Sequence, residues 1–156
     1  MNVWIINLKD NSGDGSKKNT PYKFEFCKDK SIIGIGWRDP IDNNNKDYQN
    51  ALQCLEKMKK DDLVWTRHPQ DKDYYLCKVI GDLVILHKNI PTGINEQEYF
   101  IQDISAYRKV KFYKLKCNVK NLIDYKKLIS RSTARAVFDT KIIELTEDII
   151  TREGIQ

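Results

Sequence analysis

Apolar residues in this chain come in short runs separated by polar stretches, and most runs have the length and alternation of strands. Residues 3–8 form an apolar run around Trp4, short enough for a buried strand. Residues 24–27 read as a second, shorter strand. Residues 31–37, SIIGIGW, read as a firmer one: Ile33, Ile35 and Trp37 share a face, while Gly34 and Gly36 leave the other bare. Glycines inside a strand cost stability and often mark close approach of a second backbone or a ligand. Residues 62–67 have the β-branched and aromatic character of a strand, and residues 68–73 carry turn chemistry around Pro69. Residues 74–80 pair back as a hairpin, which Gly81 and Asp82 break before residues 83–87 resume. In residues 105–115, Arg108, Val110, Phe112 and Lys114 face one way and Lys109, Lys111, Tyr113 and Leu115 the other.

Helical periodicity is strongest over residues 46–60, where Tyr48, Ala51, Leu52, Leu55 and Met58 make one apolar stripe. Residues 121–130 predict a short helix and residues 133–138 another helix or an irregular turn. Residues 145–152 predict a closing helix, with Thr146 as N-cap and Glu147 and Asp148 in its first turn. Residues 9–21, rich in Gly, Ser and Asn, predict a mobile polar loop; residues 38–45 predict a turn and residues 88–97 a loop. Many short strands around one strong helix predict a single α+β domain over residues 1–156: a compact, mostly antiparallel or mixed β-barrel, not a doubly wound parallel sheet.

Composition narrows the setting. No run of eighteen apolar residues occurs and the first apolar stretch is too short for a signal peptide, so a cytoplasmic protein with no membrane partner is expected. The four cysteines (Cys27, Cys54, Cys77 and Cys117) form no C-x-x-C pair, and His68 and His87 are the only histidines. Buried reduced thiols are therefore expected, with neither metal nor cofactor. Charge is segregated. Residues 105–135 hold ten basic residues against Asp124 alone, a surplus of nine positive charges in a chain whose net charge is +5. Such a segment suits a polyanion, nucleic acid first.

Recognisable catalytic patterns are missing. Asp10 to Gly15 imitate the start of a calcium loop, but its twelfth position is Pro21 where a bidentate Glu is required. GDGSKK lacks the spacing of a phosphate loop, and no nucleophile stands with a positioned base. His68 reads as a turn residue. Aromatics, by contrast, lie near basic residues: Trp4, Trp37 and Trp65 fall on expected strands and Tyr74, Tyr75, Phe112 and Tyr113 on their neighbours. Such rings are either core or the walls of a pocket in which a base stacks, at roughly 1–3 kcal/mol per base.

The ordered set GIGW, a helix, MKKDDLVWTRHPQDKDYYLCKVIGD, AYRKVKFYKL and LISRSTARAVFDT resembles the PUA-like modules at the N-termini of modification-dependent restriction endonucleases and McrB-type restriction proteins, a group related to the EVE, YTH and ASCH domains. The matches are Ile35-Gly36-Trp37, residues 59–64, residues 79–82 and residues 108–112, spread over residues 32–140. Asp61 stands where the pattern has glycine, Leu83 where it has tyrosine, and Phe112 where it has tryptophan. The resemblance implies a small, strongly curved β-barrel flanked by helices that reads a flipped, modified base, in DNA rather than RNA, in a restriction setting. It implies no catalysis in this module; cleavage would belong to a separate nuclease or motor subunit. Under it, Trp37 and Trp65, then Trp4, with Tyr74 or Tyr75, would form the aromatic cage. Asn7, Asp10 and Asp82 would bond the base edge, and Arg67, Arg108, Lys109, Lys111 and Lys114 would hold phosphates. Two rival expectations are an ASCH-like enzyme acting on RNA or nucleotides and an interaction module whose basic strand docks an acidic protein.

Overall fold

In the computed structural model, which describes residues 1–9, 20–36, 46–86, 96–119, 128 and 132–156, ten elements follow one another. They are β1 (Val3–Ile6), α1 (Tyr22–Lys30), β2 (Ile32–Ile35), α2 (Lys46–Lys57), β3 (Leu63–Arg67), β4 (Tyr74–Ile85), α3 (Glu96–Ile101), β5 (Ala106–Lys114), β6 (Ala134–Ala136) and α4 (Thr140–Glu153). The strands form one mixed six-stranded sheet in the order β2-β5-β4-β3-β1-β6. Only β1 and β3 run parallel; the other neighbours are antiparallel. The α+β class and mixed sheet match the sequence expectation. Among the described residues β2 and β6 remain the two edges of the order.

Period-two alternation sorts the side chains onto two cores. Trp4, Ile6, Val64, Tyr75, Cys77, Val79 and Val110 pack on one face with Phe24 and Cys27 of α1 and Ala51 and Leu55 of α2. Val3, Ile5, Leu63, Trp65, Tyr74 and Leu76 pack on the other with Ile142 and Ile149 of α4. Helix α2 rests against β6, β2 and β5, so it touches strands from both ends of the order. No helix among the described residues is long and apolar enough to cross a membrane.

Local differences from the sequence reading have local causes. Residues 24–27 are helical, not extended. Phe24 and Cys27 lie one turn apart on the buried side of α1, with Lys23 buried beside them and paired to Asp103 at 3.9 Å. Ser31, at φ 55°, ends that helix by donating its N–H to Lys28 and Cys27 carbonyls. Residues 134–136 are a strand, because residues 133–137 bond to β1 on either side of the Ile5–Arg135 pair. Helix α4 begins earlier than expected. Asp139 caps it by accepting the Lys141 N–H at 2.9 Å, and Thr146 is a buried interior residue whose hydroxyl donates to the Ile142 carbonyl. Residues 96–101, expected as the end of a loop and beyond, open a short helix. The expected polar loop, the asparagine turn and the helix over 121–130 fall almost wholly outside the described residues, as does His87.

Gly81 and Asp82 do not break β4. The strand passes through them with a register shift between Val79 and Leu83. A Cβ on Gly81 would sit 2.8 Å from the Lys109 Cβ, so β5 passes too close for any side chain there. The bare face of β2 has the same origin. A Cβ on Gly36 would lie 2.4 Å from the Ser105 nitrogen, and one on Gly34 would lie 2.9 Å from the Ile104 side chain. The Ile104 side chain and the Ser105 backbone fill the glycine face. Gly36→Ala is therefore expected to cost about 1–3 kcal/mol by overpacking, measured as a lower midpoint in urea unfolding. Asp61, where the resembling family carries glycine, has φ 75°, a left-handed conformation that asparagine, aspartate and glycine adopt most readily.

Candidate nucleic-acid interface

Strand register decides which side chains meet. β3 ends at Arg67, which pairs with Tyr74 at the start of β4, and Tyr75 pairs with Lys114 at the end of β5. β1 runs parallel to β3 with Ile5 beside Trp65, so Asn7 follows at the same end of the sheet. Asn7, Arg67, Tyr74, Tyr75 and Lys114, five of the expected site residues, thus gather at one end. Asp82 and Lys109 lie toward the other end, where Lys109 pairs with Ile32 and β4 shifts register before Leu83 meets Arg108. Gly36 lies against Ser105, at the opposite end of β5 from Lys114. Trp37 and Asp10 lie outside the described residues.

Two depressions flank the Arg67–Tyr74 pair. A cleft of about 300 Å³ is lined by Lys72, Asp73, Tyr74, Lys114, Lys116 and Asn118. A smaller pocket, about 40 Å³, lies between the ends of β1 and β3 and is walled by Ile6, Asn7, Lys9, Thr66 and Arg67. Thr66 is 2% exposed and its hydroxyl has no hydrogen-bond partner among the described residues. Leaving such a group unmet costs roughly 1–3 kcal/mol, so a buried hydroxyl in this state is a notable feature of a residue that also lines the small pocket. Neither Arg67, Lys114 nor Lys116 has a carboxylate partner among the described residues. Lys30, Lys78 and Lys23, elsewhere, are matched by Glu98, Asp61 and Asp103. Lys111 instead lies over the Tyr113 ring at 5.0 Å.

The turn carrying Lys72 is held by His68. Its Nδ1 accepts the N–H groups of Gln70 and Asp71, each at 3.1 Å, which places the ring proton on Nε2, 3.0 Å from Glu25 Oε1. The ring is buried against Phe24. His68 is thus a turn-organising residue, as the sequence suggested. Lys72, at φ 61°, donates its ammonium to the Pro69 carbonyl at 2.7 Å and leaves its stem on the cleft wall. Beyond β5, Glu153 of α4 accepts the N–H groups of Lys116 and Cys117 and fixes the far wall.

Several expected site residues are packing residues here. Trp65 is 0% exposed, lies among Leu63, Leu76 and α4, and donates its indole N–H to the Thr146 hydroxyl at 2.9 Å. It faces the packed interior, so the expectation that it walls a cage is corrected. Trp4 is also buried; its indole N–H donates to Asp62 at 3.1 Å, and that carboxylate also accepts the N–H groups of Asn2 and Lys59. The second aspartate of the KKDD motif is therefore the knot joining β1, β3 and the end of α2. Arg108 is 7% exposed and its guanidinium is spent on carbonyls: Nε and Nη2 donate to Gly81 and Nη1 to Leu55. A phosphate role for Arg108 is corrected too. Tyr75 packs against Phe24 and Phe112 with Lys28 above its ring at 5.3 Å, leaving Tyr74 as the described tyrosine on the cleft wall.

The sequence reading missed Thr66, Lys72 and Lys116 as site residues. Lys116 belonged to the basic segment already counted, whereas nothing in VWTRH marks a threonine whose hydroxyl ends up buried and unmet. Burial raises the thiols out of the reactive range: Cys27 is pushed up to about 12 and Cys77 well above its ordinary value. No group of three or more His, Cys, Asp or Glu side chains among the described residues could hold a metal ion. Comparison with protein-family models and with curated proteins finds no match to this chain.

Proposed function

We propose that this chain is a nucleic-acid-binding module that seats a polynucleotide across the end of the sheet where β1, β3 and β5 finish and β4 begins. Arg67, Lys114 and Lys116 hold phosphates, and Tyr74 offers an aromatic edge beside them. The observation carrying this reading is the gathering of Arg67, Lys114 and Lys116, which lack carboxylate partners among the described residues, beside the small pocket that Arg67 shares with Thr66, whose buried hydroxyl has no hydrogen-bond partner among the described residues. A hydroxyl both donates and accepts, so it can pair with a base amine or carbonyl. The pocket between β1 and β3 has room for one such polar group, since water itself occupies about 30 Å³. Closure of the sheet into a PUA-like barrel, DNA over RNA, a flipped and modified base, and a separate nuclease or motor partner belong to the same proposal. They rest on the sequence resemblance.

Fluorescence anisotropy with plain, methylated and hydroxymethylated duplexes at several salt concentrations tests the reading. Wild-type affinity is expected to fall with salt, and the Arg67→Ala/Lys114→Ala/Lys116→Ala variant to lose affinity for every duplex. Its slope of log affinity against log salt should be shallower by roughly 2–3, about 0.9 per lost phosphate contact. Thr66→Val should keep the salt slope and lose discrimination between duplexes. Salt-independent affinity, or a triple variant that binds like wild type, sinks the proposal.

A further inference from the structure

We propose that His68 is a proton-operated latch on the cleft wall, holding its turn closed when neutral and releasing Lys72 when charged. The ring is buried and its two nitrogens do opposite work. Nδ1 accepts the N–H groups of Gln70 and Asp71, each at 3.1 Å, and Nε2 donates to Glu25 Oε1 at 3.0 Å. Only the neutral ring fits this arrangement, because the imidazolium carries a proton on both nitrogens and accepts nothing. A second proton, taken from solvent onto the Nδ1 lone pair, sets one donor against two others. The acceptor it then needs stands beside it. Asp71 Oδ2 lies 3.7 Å from Nδ1, too far for a hydrogen bond to the ring as it stands and a small movement of the turn away from one. The charged groups around the ring favour that exchange. Glu25 of α1 faces Nε2 and Asp71 faces Nδ1, so the imidazolium sits between two carboxylates. The neighbouring cations point elsewhere: Lys28 of α1 lies over the Tyr75 ring, and Lys72 is tied to the Pro69 carbonyl at 2.7 Å. Phe24 meets the imidazole edge-on and brings no charge.

The turn is bonded so that its parts move together. The His68 N–H donates to the Asp73 carbonyl at 2.9 Å and the Lys72 N–H to the His68 carbonyl at 3.0 Å, with Lys72 itself at φ 61°. Lys72 and Asp73 line the cleft alongside Tyr74, Lys114 and Lys116. When Asp71 moves onto Nδ1, the N–H groups of Gln70 and Asp71 turn to solvent and the Pro69 carbonyl leaves the Lys72 ammonium. The cleft gains a free cation. The latch stands on the ring geometry; its effect on binding rests on the proposed polynucleotide site.

The test follows backbone amide signals of the isotope-labelled full chain at about pH 8 and about pH 5, the two ends of the range in which histidine changes charge. The Gln70 and Asp71 amides are expected to move between the two, together with the His68 ring signals. His68→Asn is the locked control. Its side-chain oxygen accepts where Nδ1 did and takes up no proton, so those amides should stay in place; thermal melting confirms that it folds. Asp71→Asn, at a side chain 68% exposed, leaves folding intact and removes the carboxylate that receives the imidazolium. In anisotropy with a plain duplex, wild type should gain roughly two- to fivefold more affinity on acidification than His68→Asn does, the scale of one exposed ion pair. Asp71→Asn should lose most of that extra gain. Amides of Gln70 and Asp71 that stay fixed in wild type, or that move equally in His68→Asn, overturn the latch. A full extra gain in Asp71→Asn overturns the exchange onto Asp71. Moving amides with equal acid gains in wild type and His68→Asn overturn the release of Lys72 into the cleft. Moving amides with no binding at either pH overturn the polynucleotide site and leave the latch supported.

Discussion

Replacing Trp65 by alanine is expected to lower the unfolding free energy by about 3–5 kcal/mol, the range for removing a large buried aromatic side chain. Its ring is completely buried under α4, stands edge-on to Tyr74 with ring centroids 6.4 Å apart, and bonds Thr146 at 2.9 Å. The alanine variant opens a cavity, leaves the Thr146 hydroxyl without its donor, and unties α4 from the sheet. For a chain of this size such a loss corresponds to a fall in Tm of roughly 6–20 °C, read by calorimetry. Trp65→Phe separates packing from recognition. It keeps most of the volume and gives up the hydrogen bond, for a cost of about 1–2 kcal/mol. With Trp65 as a core residue, the phenylalanine variant binds every duplex as wild type does. If it stayed as stable as wild type and lost discrimination between modified and plain duplexes, Trp65 would be a cage residue after all.

Arg108→Met is the second large effect, about 2–4 kcal/mol. The substitution keeps the stem that packs in the sheet and removes the guanidinium that joins two distant carbonyls. Gly81 sits in the shifted stretch of β4, and Leu55 lies in the last turn of α2, where a cation also meets the negative end of the helix dipole. The loss falls at the lower end of that range if water reaches the Gly81 carbonyl. Arg108→Lys recovers only part of it, because an ammonium cannot reproduce the fork. Urea unfolding gives the stability, and the salt titration of binding gives the discriminating result. The slope of log affinity against log salt should be unchanged in Arg108→Met, since its charge is spent inside the fold. A shallower slope would return Arg108 to the phosphate-binding set.

These two residues show where sequence reading stops. The pattern AYRKVKFYKL places Arg108 with Val110 on one side of a strand, and a buried strand of this kind is legible as such. That the arginine points into the protein requires Leu55 and Gly81, one from a helix and one from a neighbouring strand, to bring their carbonyls to the same place. Charge counting treats all ten basic residues of the segment as one field. The fold divides them, using Arg108 as a brace, laying Lys111 on Tyr113, and leaving Lys114 and Lys116 at the cleft.

Strands β1, β2, β3 and β5, the first half of β4 and helix α2 were legible in the sequence alone, because alternation and the helical stripe are local consequences of burying one side of an element, whereas the continuity of β4 through Gly81 came from its pairing with β5. The mixed α+β class followed from their order. The motif residues Gly36, Asp62 and Gly81 were also visible, but their reasons were not. Each answers to a contact made across the sheet: Ser105 against Gly36, Trp4 on Asp62, Lys109 beside Gly81. The helical state of residues 22–30 and the strand at residues 134–136 were decided by tertiary contacts. Both segments are short, and one takes its structure from the core it covers while the other takes its pairing from β1. Asn7, Arg67, Tyr74 and Lys114 were legible singly as site residues, but their assembly into one site belongs to that second category. Asn7, Thr66, Tyr74 and Lys114 are scattered along the chain, and only the parallel pairing of β1 with β3 and the register of β4 against β5 bring them to one end of the sheet.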